Sequence, residues 1–244
     1  MNSGIETAIE TRQLTVAYGA QTALWNVDVD IPRFAISGII GPNGAGKSTL
    51  LNAVLGIVPR LAGTVTFHHG SASSAAYVPQ RNSVDWDFPT SVLDLVMMGT
   101  YGRLKWFQRP GRRQREEAME ALALVQMEDF ADRQIGELSG GQQQRVFLAR
   151  AFVQKASIYL MDEPFAGVDA KTEKLLIDIL HRVRDDGNTI VMVHHDLATA
   201  DRYFDHVVLL NKRLIACGPT PESFTADNIQ AAYGMISENG RGET

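Results

Sequence analysis

Apolar and polar positions alternate near the start of the chain. Trp25, Val27, Val29 and Ile31 take one parity, and Asn26, Asp28 and Asp30 take the other. A period of two marks a strand with one face buried. Leu14-Thr15-Val16 gives a shorter strand that ends at Tyr18-Gly19. From Phe34 to Ile40 the run is largely apolar, as in a buried strand, and Thr49 to Leu55 behind it opens a helix. Gly63 to Phe67 and Ala75 to Pro79 read as further short strands.

The pattern changes near residue 90. Thr90 and Ser91 are cap-type residues ahead of Val92 to Met98, which continues as helix. Ala118, Ala121, Leu122 and Val125 then recur at helical spacing behind Arg112, Arg113 and Arg115, and a further helix is expected after Gly140-Gly141. Strand character returns at Ser157 to Met161. The stripe Leu175, Leu176, Ile179, Leu180, Val183 precedes a strand over Thr189 to Val193. Val207 to Leu210, a turn at Asn211-Lys212-Arg213, and Leu214 to Cys217 read as a late hairpin. The expected organisation is one domain over 1–244, with an α/β core formed by 1–88 and 156–244 and a helical insert over 89–155.

Composition narrows the classes. In 244 residues, 45% hydrophobic and 21% charged content is ordinary for a globular chain with a substantial core. A net charge of −5 gives no support to a strongly electrostatic nucleic-acid binder. The single cysteine, Cys217, rules out an intrachain disulfide and fits a reducing compartment. No uncharged apolar run is long enough for a transmembrane helix, and Met1 to Glu6 lacks the basic and apolar regions of a secretory signal. A cytosolic location is expected, with other subunits holding the chain wherever it works at a membrane.

Chemistry enters at Gly41-Pro42-Asn43-Gly44-Ala45-Gly46-Lys47-Ser48, which fits G-x-x-x-x-G-K-[ST] between an expected strand and an expected helix. Glycines let successive backbone N–H groups curl around phosphates, and the helix N-terminus adds partial positive charge. Lys47 would reach the β- and γ-phosphates and the Ser48 hydroxyl would ligate Mg²⁺, with Thr49 next in the same turn. Ile158-Tyr159-Leu160-Met161-Asp162-Glu163 is an apolar strand that ends in two carboxylates, where α/β sheets place ligands. Asp162 suits Mg²⁺, and Glu163 suits polarising an attacking water.

Leu138-Ser139-Gly140-Gly141-Gln142 is the other decisive motif. A serine and two glycines at a helix N-terminus make another phosphate nest. With this LSGGQ run the chain resembles the ATP-binding cassette (ABC) ATPases, and further family markers occur in order over nearly the whole length. The resemblance implies a P-loop NTPase core with an N-terminal antiparallel β subdomain and an inserted α-helical subdomain. It also implies that two subunits pair head-to-tail, closing ATP between the P-loop of one and the Ser139 turn of the other. Tyr18 matches the aromatic that stacks on adenine, and Gln80 matches the glutamine placed near Mg²⁺ and the attacking water. Asp169 matches the aspartate that reaches across the dimer, and it also reads as a helix cap. His195 matches the histidine that contacts the γ-phosphate. The family more often has Thr or Ser before that histidine; here it is His194, read as an extra polar residue.

Val78 to Val92 is similar to the manganese/zinc/iron branch of bacterial importers. That resemblance implies ATP and Mg²⁺ as cofactors and integral membrane permease subunits as partners. It also implies a second, identical ATPase subunit, an extracytoplasmic metal-binding protein reached through the permease, and a peripheral place on the cytoplasmic face of the membrane. Trp86 and Phe88 are candidates for the docking groove or for the insert's own core, with Trp106-Phe107 nearby. The basic cluster Arg103, Lys105, Arg109, Arg112, Arg113 and Arg115 suits anionic headgroups or a solvated helix face. His68-His69 lacks a metal-type partner in sequence and reads as an exposed strand end. Among rival classes, a P-loop GTPase lacks its guanine-reading Asp after Asn211-Lys212. A soluble ABC-type ATPase acting on nucleic acid or ribosomes would usually carry coiled coils or two cassettes. A transporter subunit for a non-metal substrate is the other alternative.

Overall fold

The computed structural model describes residues 6–81, 86, 88–105 and 107–234. In chain order these form β1 (Thr7–Tyr18), β2 (Gln21–Pro32), β3 (Ile36–Ile40), α1 (Lys47–Val54), β4 (Ala62–Phe67), β5 (Ala76–Val78), α2 (Val92–Met98), α3 (Arg112–Leu124) and α4 (Gly140–Phe152). The order continues with β6 (Ile158–Asp162), α5 (Ala170–Asp185), β7 (Thr189–His194), α6 (Leu197–Tyr203), β8 (His206–Asn211), β9 (Arg213–Pro219), α7 (Thr220–Ser223) and α8 (Ala226–Tyr233). The chain divides into two compact units, one holding residues up to Ser73 and from Val191 onward, the other Ser74–Ile190.

In the first unit, β1 is the centre of an antiparallel sheet of order β2-β1-β4. Val27, Val29 and Ile31 are buried and Asp28 and Asp30 exposed, as alternation requires. Trp25 departs from the expected parity: it is 51% exposed while Leu24 is fully buried. The cause is a bulge. Asn26 has φ 50°, and the register with β1 shifts between the Leu14↔Val27 and Val16↔Leu24 pairs. One extra residue turns every later side chain to the other face. Trp25 instead lies under the Arg213 guanidinium, 5.7 Å from its ring centre.

The expected strand from Phe34 begins later, at Ile36. Phe34 sits in the turn after β2 at φ 57°, its ring 4.3 Å beneath Arg33. β3 runs parallel to β8, and β8 returns antiparallel to β9 through Lys212 at φ 57°. β3 is buried at every position, which explains its uninterrupted apolar run.

In the second unit, β5 pairs in parallel with β6, and α2, α3 and α4 pack on one another. Ser91 caps α2 by accepting from Asp94 N–H at 3.1 Å. Ala118, Ala121, Leu122 and Val125 are buried, as their spacing predicts. On α5, Leu176, Ile179, Leu180 and Val183 are buried together with Ile177, while Leu175 is only half-buried. Each such aliphatic side chain contributes about 1.5–3 kcal/mol when fully buried. Among the described residues, no helix is long and apolar enough to cross a membrane.

Three members of the expected basic cluster are matched by glutamates. Arg103 Nη2 reaches Glu117 Oε2 at 2.6 Å, Arg113 Nε reaches Glu117 Oε1 at 3.4 Å, and Arg112 Nε reaches Glu116 at 2.7 Å. Lys155 Nζ adds a contact to Glu117 Oε1 at 3.1 Å. Burial pushes the Glu117 carboxyl upward, but hydrogen bonds from Lys155 and Arg103 outweigh it and hold the pKa at about 2. A carboxyl whose pKa is lowered by folding stabilises the folded chain above its unfolded value and loses that effect as pH falls. Glu117→Gln is therefore expected to lower unfolding free energy by about 1–3 kcal/mol near neutral pH. The gap from wild type should narrow below the ordinary glutamate value of 4.5 and close near pH 2. Urea unfolding across that range measures it; a pH-independent gap would remove the ionic explanation.

Candidate functional site

In the first unit the P-loop joins β3 to α1. Gly44 and Gly46 have φ 78° and 94°, the left-handed region where glycine is favoured. A Cβ on Gly46 would also lie 2.5 Å from Leu24 Cδ2, so both conformation and space demand glycine there. Gly41 answers to packing instead: a Cβ would fall 2.0 Å from Leu210 O at the end of β8. The loop is braced on two sides, because Lys212 N–H donates to Ala45 O and Trp25 N–H donates to Lys212 O, each at 2.8 Å. Helix α1 begins at Lys47 with Gly46 as its N-cap, a residue that offers no side-chain oxygen to the helix N-terminus.

Lys47 is 6% exposed and its Nζ donates to Gly41 O at 2.8 Å and Pro42 O at 3.0 Å. The ammonium is therefore arched back over its own loop. Ser48 and Thr49 are half-buried in the first turn of α1, and Asn43 is exposed at the loop tip. Tyr18 stands at the end of β1, 51% exposed, which suits a stacking surface.

His195 follows β7 and is exposed, whereas His194 is 4% exposed. His194, the extra polar residue, is buried and has a structural role. Its Nε2 lies 2.9 Å from Thr199 Oγ1, and that hydroxyl donates to Asp196 Oδ2 at 3.2 Å. The ring packs edge-on to Phe204, with centroids 5.4 Å apart. Burial first, then the neighbouring His195, pulls its pKa down to about 4, so the ring is neutral near pH 7. His194 and Thr199 thus pin the turn that presents His195. Neither was legible as such, since Thr199 lies in a helix that sequence reading did not mark.

In the second unit, Asp162 ends β6 and is 5% exposed. Glu163 follows at φ 50°, an uncommon conformation for a glutamate and one that clusters at functional turns. Gln80 Nε2 donates to Glu163 Oε2 at 2.9 Å, which fixes the carboxylate's orientation. Asp169 caps α5, accepting from the N–H groups of Lys171 and Thr172 at 3.0 Å each. Hydrogen bonds from the Thr172 backbone and hydroxyl hold its carboxyl below the ordinary range. Asp169 is nonetheless exposed, so capping and a role toward a partner are compatible.

Ser139 caps α4 in a reciprocal box: Gln142 N–H donates to its Oγ at 3.4 Å, and Ser139 N–H donates to Gln142 Oε1 at 2.9 Å. Gly140 and Gly141 form the first turn behind it. Ser139 is thus the N-cap of α4, and the helix face behind it is packed, because Gln143 and Gln144 are buried at 4% and 1% exposure.

Trp86 packs edge-on against Phe147 at 4.9 Å and donates from Nε1 to Arg81 O at 3.0 Å, which favours its role in the insert's own core. Phe88 is 55% exposed and Phe107 is 93% exposed. Asn82 to Asp85, Asp87 and Trp106, parts of the same expected neighbourhood, lie outside the described residues, as do Met1 to Ile5. His68 and His69 do fall at an exposed strand end, with His68 Nε2 at 2.8 Å from Glu10 Oε2. Among the described residues, no group of three or more His, Cys, Asp or Glu could hold a metal ion.

Comparison with known proteins places these features. A model of the ABC transporter family matches residues 24–166. The zinc transport system ATP-binding protein TroB of Treponema pallidum is 54% identical, over 93% of this chain and 87% of its own length. The manganese transport system ATP-binding protein MntB of Bacillus subtilis is 51% identical, over 93% and 92% respectively. A bacterial ABC transporter cassette solved in dimeric form superposes with a TM-score of 0.75 at 27% identity, covering 84% of this chain and 96% of that one.

Proposed function

The chain belongs to the ABC transporter family, and we propose that it is the ATPase subunit of a transition-metal importer. It is an ATP-binding and ATP-hydrolysing subunit of a multi-subunit transporter. The cargo is manganese, zinc or iron, read from the close relatives named for zinc and manganese transport. One observation carries the mechanism: a single chain holds both a lysine-filled P-loop and a serine-capped Leu138–Gln142 turn, each built to meet phosphate.

In the proposed cycle, Lys47 and the backbone N–H groups of Gly41 and of Asn43 through Thr49, with Pro42 shaping the loop, hold the triphosphate of one ATP, and Tyr18 stacks on its adenine. Ser139, Gly140, Gly141 and Gln142 of a second copy close on the γ-phosphate from the other side. Donors aimed at the developing charge supply most of the catalysis in such transfers. Glu163, oriented by Gln80, takes a proton from the attacking water while His195 contacts the γ-phosphate. Asp169 reaches toward the partner copy. The donor set of Ser48, Gln80 and Asp162, all oxygen, fits Mg²⁺; when bound, that ion neutralises charge on the β- and γ-phosphate oxygens. ATP holds the dimer shut, and hydrolysis removes the bridging phosphate so that the halves part.

The finer assignments follow from the same reading. The whole chain is one ATPase domain with a helical insert over 89–155, peripheral on the cytoplasmic face of the membrane. It joins integral membrane permease subunits, an identical second ATPase subunit and, through the permease, an extracytoplasmic metal-binding protein. The test is twofold. Co-purified permease should stimulate ATPase activity where DNA and ribosomes do not, and deletion of the chain should lower cellular manganese, zinc or iron under metal limitation. Stimulation by nucleic acid, or unchanged content of all three metals, would overturn the reading.

A further inference from the structure

Arg81 follows Gln80, and its contacts run to the signature helix α4. Its Nε and Nη2 both donate to Gln143 Oε1, at 3.1 and 2.9 Å. Gln143 is 4% exposed, and its own Nε2 donates to Ile135 O at 3.3 Å, so the amide oxygen is turned toward Arg81. The guanidinium lies over Gly140, where a Cβ would come 3.1 Å from Arg81 Cζ. At the other end of the residue, Arg81 O accepts from Trp86 Nε1 at 3.0 Å, and Trp86 packs on Phe147, one turn along α4 from Gln143. Arg81 is thus tied to the first half of α4 by its side chain directly and by its backbone through Trp86.

We propose that Arg81 is a positioning residue that couples the two ATP sites of the dimer. The proposal rests on the head-to-tail arrangement above. In that arrangement, Gln80 and Glu163 of one subunit serve one ATP, and the Ser139 turn of the same subunit serves the other. The connection lies within a single unit of the chain: Glu163 to Gln80 by a hydrogen bond, Gln80 to Arg81 by the peptide, Arg81 to Gln143 and Gly140, and these to Ser139. Two donors on one fixed acceptor, with a planar group lying against a glycine, leave little freedom for side-chain rotation to absorb a shift of Gln80. Movement at Gln80 is passed to the N-terminus of α4, and the reverse holds by reciprocity of coupling. Nothing in sequence spacing announces this contact, since the partners are separated by 62 positions.

The experiment uses the assembled transporter and follows ATPase rate against ATP concentration. Arg81→Ala is expected to lower kcat about tenfold, the loss of one charge-assisted contact. The Hill coefficient should fall toward unity while ATP affinity of the isolated subunit stays at the wild-type value. Gln143→Met, which removes the acceptor at similar volume, should reproduce the effect and stands alone if the Arg81 variant does not fold. The double variant should be no worse than the worse single one, and Arg81→Lys should recover part of kcat. Cooperativity intact in either folded single variant, additive losses in the double, or a change confined to ATP affinity would overturn the proposal. Failure of the underlying dimer reading looks different: the wild-type complex itself would saturate without cooperativity, and Glu163→Gln would give no ATP-dependent dimer.

Discussion

Glu163→Gln is expected to lower kcat by about 10²–10⁴-fold, the usual contribution of a general base, while ATP binding is retained. The amide has the carboxylate's shape, so the turn after β6 and its φ of 50° are undisturbed. Gln80 can still donate to the oxygen that replaces Glu163 Oε2, now 2.9 Å away. What disappears is the proton acceptor. ATP should then accumulate between two copies, and the variant should migrate as a dimer in ATP and as a monomer in ADP. Single-turnover phosphate release and size-exclusion chromatography measure both effects. Wild-type turnover would remove Glu163 from the base role; a monomer in saturating ATP would remove the closed dimer.

Lys47→Ala acts on the earlier step, with an expected loss of ATP affinity of about a hundredfold, in line with roughly 3 kcal/mol for hydrogen bonds to charged groups. Two effects add. The phosphates lose a cation, and the carbonyls of Gly41 and Pro42 lose the ammonium that each accepts from at 2.8 and 3.0 Å. Lys47→Arg should not rescue affinity, because a planar fork cannot arch over the loop as a compact ammonium does. Equilibrium titration with a fluorescent ATP analogue reads the loss, and thermal unfolding separates it from a collapsed fold. Unchanged affinity would mean that phosphate is held elsewhere.

The parts of the site that sequence reading located are those whose chemistry is local. The P-loop, the carboxylates after β6 and the serine-capped turn each occupy one short segment, and the strand or helix around each follows from its hydrophobic period. Asp169 carried a cap reading and a partner-facing reading together, and the exposed N-cap geometry accommodates both. Misreadings came where the backbone leaves the regular lattice. The bulge at Asn26 sent Trp25 outward, and the turn at Phe34 shortened β3, because positive φ at a non-glycine leaves no mark in an alternation pattern. Burial of His194 depends on Phe204 and Thr199, which only the folded chain brings to it. Helix α8 was not marked in the sequence at all, although Thr225 as N-cap and Gly234 as left-handed C-cap bracket it.

The bracing of the P-loop bears on how the protein is made. Ala45 and Trp25 find their hydrogen-bond partners on Lys212, and Gly41 abuts the carbonyl of Leu210. A ribosome delivers Gly41 to Ser48 early, yet the peptide that clamps them leaves the exit tunnel only after most of the chain has been translated. The nucleotide cradle is therefore completed late in biosynthesis. Fragments released by stop codons upstream of Lys212 carry the motif in full without the scaffold that shapes it.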